Sequence, residues 1–358
     1  MTQRSHIRTR ILTAGLFITV GLTAAACSPA ENSTESAQST AASSSASDSE
    51  NQGQWPRTVD SLVVQDGKAT KETEKVEIPA QPKRIVSTTV TVTGSLLAID
   101  APVVATGGAQ PGPAASDKGF FNQWAQVAED RNVESLYHLD PNLEKIVGQQ
   151  PDLIVVSAAG ADSATKLHDQ LKDVAPVVVV DYSDKSWEAL ITELGTITGL
   201  ESNAESTLES FNKRLNEVKD AITVPDQPTN IGLALAEGEG MSLWTKQSAQ
   251  GELLAELGFE VAEPAADIVD TSGQFGKRTD VKRVTPENLD KALTGKTFLV
   301  SNVDGTEDPV AKIKSNPQLA DAEVVNSDHV YAIDPEIFRV DYYSALGFLD
   351  QIEKLFKK

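Results

Sequence analysis

Cysteine occurs once in these 358 residues, methionine twice and histidine four times. A single thiol cannot form an internal disulfide, so any core must hold by packing alone. His6, His138, His168 and His329 are far apart and show no metal-ligand spacing. There is no GxSxG elbow, P-loop or HExxH helix, and no nucleophile and base pair can be assigned. The chain is therefore expected not to be an enzyme and to carry no cofactor. Positive charge is scarce as well, with 31 Lys and Arg against 52 Asp and Glu for a net charge of −21. That balance disfavours nucleic acid or an anionic bilayer surface as the partner. An anionic ligand would need a local basic exception.

The N-terminus has an apolar run, Ile11 to Ala26, shorter than the roughly 20 residues of a transmembrane helix. Arg4, Arg8 and Arg10 precede it and small side chains end it, the order of a secretory leader over residues 1–26. The ending "LTAAAC" resembles a bacterial lipobox, with Ala24 where leucine is more usual. Cys27 is accordingly expected to be acylated and to become the first residue of the mature protein. Residues 28 to 54 are rich in serine and alanine and lack large aliphatic or aromatic side chains. Such a segment cannot offset its own ordering entropy and reads, with Cys27, as a tether over residues 27–55.

About 300 residues remain, suited to one large or two medium lobes. From "KRIVSTT" to "SWEALITELGTITG", short β-branched runs alternate with amphipathic helices, which predicts a mostly parallel α/β lobe over residues 56–200. "ESNAESTLESFNKRLNEVKDAI" then places Leu208, Phe211, Leu215 and Val218 at helical spacing, a long bridging helix within 201–224. A second α/β lobe is expected over 225–358. "PNLEKIVGQQPDLIVV" and "TPENLDKALTGKTFLV" echo each other, each setting a short helix ahead of a buried strand.

Two α/β lobes joined by one long helix behind a lipoprotein leader resemble the substrate-binding lipoproteins of ABC importers for iron siderophores, haem and cobalamin. "RIVSTTVTVTGSLLAIDAPVVATG", "DKGFFNQWAQVAEDR", "LWTKQSAQGELLAELGF", "GKRTD" and "FRVDYYSA" carry the likeness, in order, over most of residues 83–350. It is closest to the members that take ferric enterobactin. The resemblance implies an extracytoplasmic, lipid-anchored monomer that captures a ferric catecholate and delivers it to an ABC permease dimer with its ATPase. Haem, cobalamin or another ferric complex would suit the same fold.

A ferric tris-catecholate is a trianion whose iron is already fully coordinated, so the protein needs no metal ligand. It needs cations aimed at catecholate oxygens and aromatic faces against the rings. By resemblance, Arg278 and Arg339 fall at oxygen-contacting positions and Trp244 at a ring-packing one. Arg131 offers a further contact, although Glu129 and Asp130 beside it suit an ion pair equally. Arg84, at the start of the first strand, is divided between a structural role and ligand contact. Phe275 and Tyr182 are additional ring-packing candidates. Glu144 in "NLEKIV" and Glu287 in "TPENL" match the glutamates that meet permease arginines, while each also suits a first helical turn. Tyr342 and Tyr343 could serve naked ferric iron, but neighbours on a helix point about 100° apart.

Overall fold

The structure is a computed structural model that describes residues 53–234, 239–272, 278–302 and 308–358. The leader, Cys27, the tether and Phe275 lie outside the described residues.

A hairpin of β1 (Arg57–Gln65) and β2 (Lys68–Ile78) comes first. The first lobe follows as β3 (Ile85–Ser87), α1 (Val90–Ala98), β4 (Val103–Gly108), α2 (Asn122–Asp130), β5 (Glu134–His138) and α3 (Leu143–Gly148). It is completed by β6 (Leu153–Ser157), α4 (His168–Lys172), β7 (Val177–Val180) and α5 (Trp187–Thr198). After the long α6 (Glu201–Ala221), the second lobe runs β8 (Thr229–Ala234), β9 (Met241–Trp244), α7 (Ala249–Glu256) and β10 (Val281–Val284). Then come a 3-10 turn at Pro286–Lys291, β11 (Thr297–Ser301), α8 (Pro309–Ser315), α9 (Glu323–Asn326) and β12 (Val330–Ala332). A second 3-10 turn, Pro335–Phe338, leads into α10 (Tyr342–Phe356).

The first sheet is ordered β5-β4-β3-β6-β7 and is parallel throughout. Every residue of β6 and β7 is buried, as strands covered on both faces require. The second sheet, β10-β9-β8-β11-β12, repeats that order, but β9 runs antiparallel to both its neighbours. The sequence echo thus has a topological counterpart: α3 leads into β6 beside the central β3, and the Pro286–Lys291 turn leads into β11 beside the central β8. That second segment is a 3-10 turn and not the α-helix expected.

α6 buries Ala204, Thr207, Phe211, Leu215 and Val218 along one stripe and is about 32 Å long at 1.5 Å per residue. One continuous apolar core takes in α1, α5, α6, α10 and the inner face of the second sheet, including Ile231 and Leu299. The outer faces of the two sheets have separate cores. α10 returns along α6 and also meets α1 and α2, so the last helix joins the second lobe to the first.

The N-terminal segment is clasped where α5 passes into α6. Arg57 lies 4.6 Å over the Trp55 ring and donates to the Glu201 carboxylate at 2.5 Å and to the Thr196 carbonyl. No helix among the described residues is long and apolar enough to cross a membrane.

Candidate functional site

The C-terminal ends of β3, β6 and β7 converge on one side of the first lobe, where open parallel sheets generally hold ligands. Ser87, Thr93 and Thr106 form a buried hydroxyl chain there, at 2.9 and 2.6 Å. Asp162 is 4% exposed and accepts from the Thr89 hydroxyl at 2.6 Å and the Val90 amide at 3.0 Å, so it caps α1. Tyr182 stands just past β7. Burial is the main cause that raises its phenol above the ordinary range, and the nearby Arg339 charge acts against that. Gly160, at φ +101°, lets the chain pass this group, since a Cβ there would stand 2.8 Å from the Tyr182 oxygen and 2.6 Å from Asp162.

Facing this wall, the Pro335–Phe338 turn brings Arg339 to the seam between the lobes. Ala114, Phe121 and Gln123 of the first lobe and Pro335, Glu336, Phe338 and Arg339 of the second line a hollow of about 250 Å³. The Arg339 guanidinium lies 5.1 Å over the Phe338 ring, and Phe338 is 41% exposed, unusual for so large an apolar side chain. Burial, followed by the nearby Asp334 charge, raises the Glu336 carboxyl above its usual range, which eases neutralisation of the one acid lining the hollow. A cation stacked on an aromatic face between apolar walls can receive an anion that carries aromatic rings.

Arg339 and Tyr182, expected from the sequence, stand near enough across the lobes for the Arg339 charge to act on the Tyr182 phenol. Phe338, Gln123 and Phe121 join Arg339 in the hollow; they lie inside "FRVDYYSA" and "DKGFFNQWAQVAEDR", stretches that carry the likeness, but nothing in the sequence singled out these positions. Trp244 is 5% exposed and packs into the central core, so its ring is presented to the interior and not to the hollow. Arg278 sits close by, because Val281 of β10 pairs with Trp244. Its guanidinium forks onto Asp280, so a ligand at Arg278 must compete with that carboxylate.

Two of the candidate ligand contacts have partners within the protein, the other reading open for each. Arg131 donates to the Leu97 carbonyl at 2.9 Å and to Asp100 at 2.5 Å, closing the C-terminal end of α1. Arg84 donates to the carbonyls of Gln149 and Gln150, and its backbone amide to Asp152, which places it at the strand ends opposite Tyr182. In both cases backbone carbonyls left over at a helix end attract the guanidinium.

Glu144 and Glu287 are exposed in the first turns of topologically equivalent segments. One turn beyond Glu144, Val147 is 42% exposed. Tyr342 and Tyr343 meet edge to face, and burial pushes the Tyr343 phenol up to about 12, which opposes a phenolate ligand at neutral pH. Among the described residues no cluster of three or more His, Cys, Asp or Glu is placed to hold a metal ion.

Comparison with known proteins identifies the family and the fold. The profile of the family described as "Periplasmic binding protein" matches residues 85–337. The ferric enterobactin-binding periplasmic protein FepB of Escherichia coli O6:H1 is 42% identical over 84% of this chain and 91% of its own. A probable siderophore-binding lipoprotein of Bacillus subtilis, YfiY, is 26% identical over 78% of this chain and 84% of its own. Among solved structures, holo-ViuP superposes with a TM-score of 0.72 at 34% identity, covering 85% of this chain and 96% of that one.

Proposed function

Since this chain belongs to the periplasmic binding protein family, we propose that it captures a ferric catecholate siderophore, of the ferric enterobactin kind, for delivery to an ABC permease. The observation that carries the reading is Arg339 stacked on the exposed Phe338 ring, at the seam between the lobes and within electrostatic reach of Tyr182. In a chain of net charge −21, an exposed cation at the mouth of such a gap is the local exception a trianion needs. The iron arrives coordinated, so it is cargo and asks no ligand of the protein. The 42% identity to a ferric enterobactin-binding protein supports the same ligand class. Arg278, beside the β9–β10 pair and with Phe275 nearby in sequence, is a second contact region in this reading.

The remaining parts follow from the same picture. Cys27 carries the lipid anchor on the outer face of a cytoplasmic membrane, and the probable lipoprotein YfiY supports that placement. Glu144 and Glu287 dock on the permease dimer, each being an exposed acid at an equivalent place in its lobe. The protein acts as a monomer and performs no catalysis. Titration with ferric enterobactin should quench tryptophan fluorescence and saturate at one ligand per protein. Tight binding of ferric hydroxamates with none of ferric catecholates would overturn the ligand class.

A further inference from the structure

Asp341 ends the segment that carries Arg339 and begins α10. One carboxylate oxygen accepts the amides of Tyr343 and Ser344, at 2.9 and 3.0 Å, while the Ser344 hydroxyl accepts the Asp341 amide. The other oxygen turns to the first lobe, where Gln123 of α2 donates to it at 3.3 Å. The same Gln123 amide reaches the Arg339 carbonyl at 3.4 Å, and the Ser344 hydroxyl donates to that carbonyl at 2.8 Å. The backbone of Arg339 is thus held from both sides by the partners of one carboxylate.

Three features show that this is more than a helix cap. Asp341 is 5% exposed, and burial pushes its carboxyl up to about 6, so it is ionised at neutral pH at a cost in stability. Asparagine or serine would cap α10 without that cost. Gly94 of α1 leaves room for the carboxylate to come close, because a Cβ there would lie 2.6 Å from the free oxygen and 2.9 Å from the Trp124 indole nitrogen. That indole N–H, in a side chain only 1% exposed, has no hydrogen-bond partner among the described residues. A second donor thus stands close to the oxygen that Gln123 engages at 3.3 Å.

We propose that Asp341 is a positioning residue, which fixes the Arg339 guanidinium in the hollow by pinning the 339–344 segment to the α1–α2 corner of the first lobe. The proposal rests on the reading of Arg339 as a ligand contact. Asp341→Asn is the probe of choice, since the side-chain oxygen can keep the cap while the new NH₂ faces the donors of Gln123 and Trp124. The pin is lost and the helix start is kept.

The test is a double-mutant cycle. Ferric enterobactin is titrated, by fluorescence quenching, into wild type, Arg339→Ala, Asp341→Asn and the double variant. Wild type should bind, and Arg339→Ala should weaken binding roughly 10- to 100-fold. Asp341→Asn should cost about 10-fold in the wild-type background and under about 2-fold once Arg339 is gone. Gly94→Ala, which forces a methyl group against the Asp341 carboxylate oxygen and the Trp124 indole, should reproduce the loss and the same non-additivity. It also stands in if the asparagine variant does not fold. Equal losses in both backgrounds, or no loss in either seam variant, would overturn the positioning role. If wild type fails to bind, or Arg339→Ala binds like wild type, the ligand reading itself fails, and those two proteins reveal it before Asp341 is considered.

Discussion

Replacing Asp341 by asparagine should also change how stability depends on pH, with a sign opposite to that of an ordinary capping carboxylate. At an exposed N-cap the helix dipole and accepted amides lower a carboxyl pKa, so stability grows as pH rises. Asp341 accepts the same kind of amides, but its burial outweighs them and moves the carboxyl from 3.8 up to about 6. The folded chain therefore holds this proton more tightly than the unfolded chain does. The group's contribution is fully present below about pH 4 and is lost as pH rises through about 6. The displacement corresponds to about 3 kcal/mol.

Urea unfolding of wild type and Asp341→Asn, at intervals from about pH 4 to about pH 7, measures this as a difference curve. Other titrating groups cancel in the subtraction. The amide's clash with the Gln123 donor adds only a constant offset. Wild type should lose roughly 2 to 2.5 kcal/mol relative to the variant across that range, the rest of the displacement being expressed below about pH 4. A flat difference, or a wild type that gains on the variant as pH rises, would refute burial as the dominant influence on Asp341.

Arg57→Ala should lower stability by about 3 kcal/mol, because it leaves the partly buried Glu201 carboxylate and the Thr196 carbonyl without their donor; an unfolding midpoint within error of wild type would contradict the clasp. Glu144→Ala and Glu287→Ala should leave siderophore affinity unchanged while uptake of labelled iron into cells falls, and unimpaired uptake in the double variant would remove the docking role. Cys27→Ala should send the protein to the soluble fraction or leave it uncleaved. Unchanged membrane partition and an unchanged mature N-terminus would rule out acylation there.

Long or strongly patterned elements could be read directly from the residues. α6 is announced by Phe211, Leu215 and Val218 at helical spacing, and β6 and β7 by unbroken β-branched runs. β10 and β12 were not anticipated, since "VKRV" and "VYA" are too short to show a period and form only beside a partner strand. The β1–β2 hairpin was missed although Asp66 and Gly67, both at positive φ, form the expected kind of turn. Arg339 and Tyr182 came from family likeness and local motifs. The partners of Arg84 and Arg131, backbone carbonyls and for Arg131 also the Asp100 carboxylate, lie 31 to 66 positions away in the sequence, which no local pattern encodes. Gln123 and Phe121 enter the hollow only because α2 starts where the second lobe's turn arrives.

The clasp at Trp55 and Arg57 decides where a pull on the preceding chain is felt. Force applied N-terminal to Trp55 enters the molecule at Thr196 and Glu201, the corner where α5 hands over to the bridging helix. It does not enter at the strand ends of the first lobe, nor at the 335–344 segment that shapes the hollow. A load that reaches Trp55 and Arg57 would therefore be borne first by the helix shared by both lobes, at a corner away from Tyr182 and Arg339.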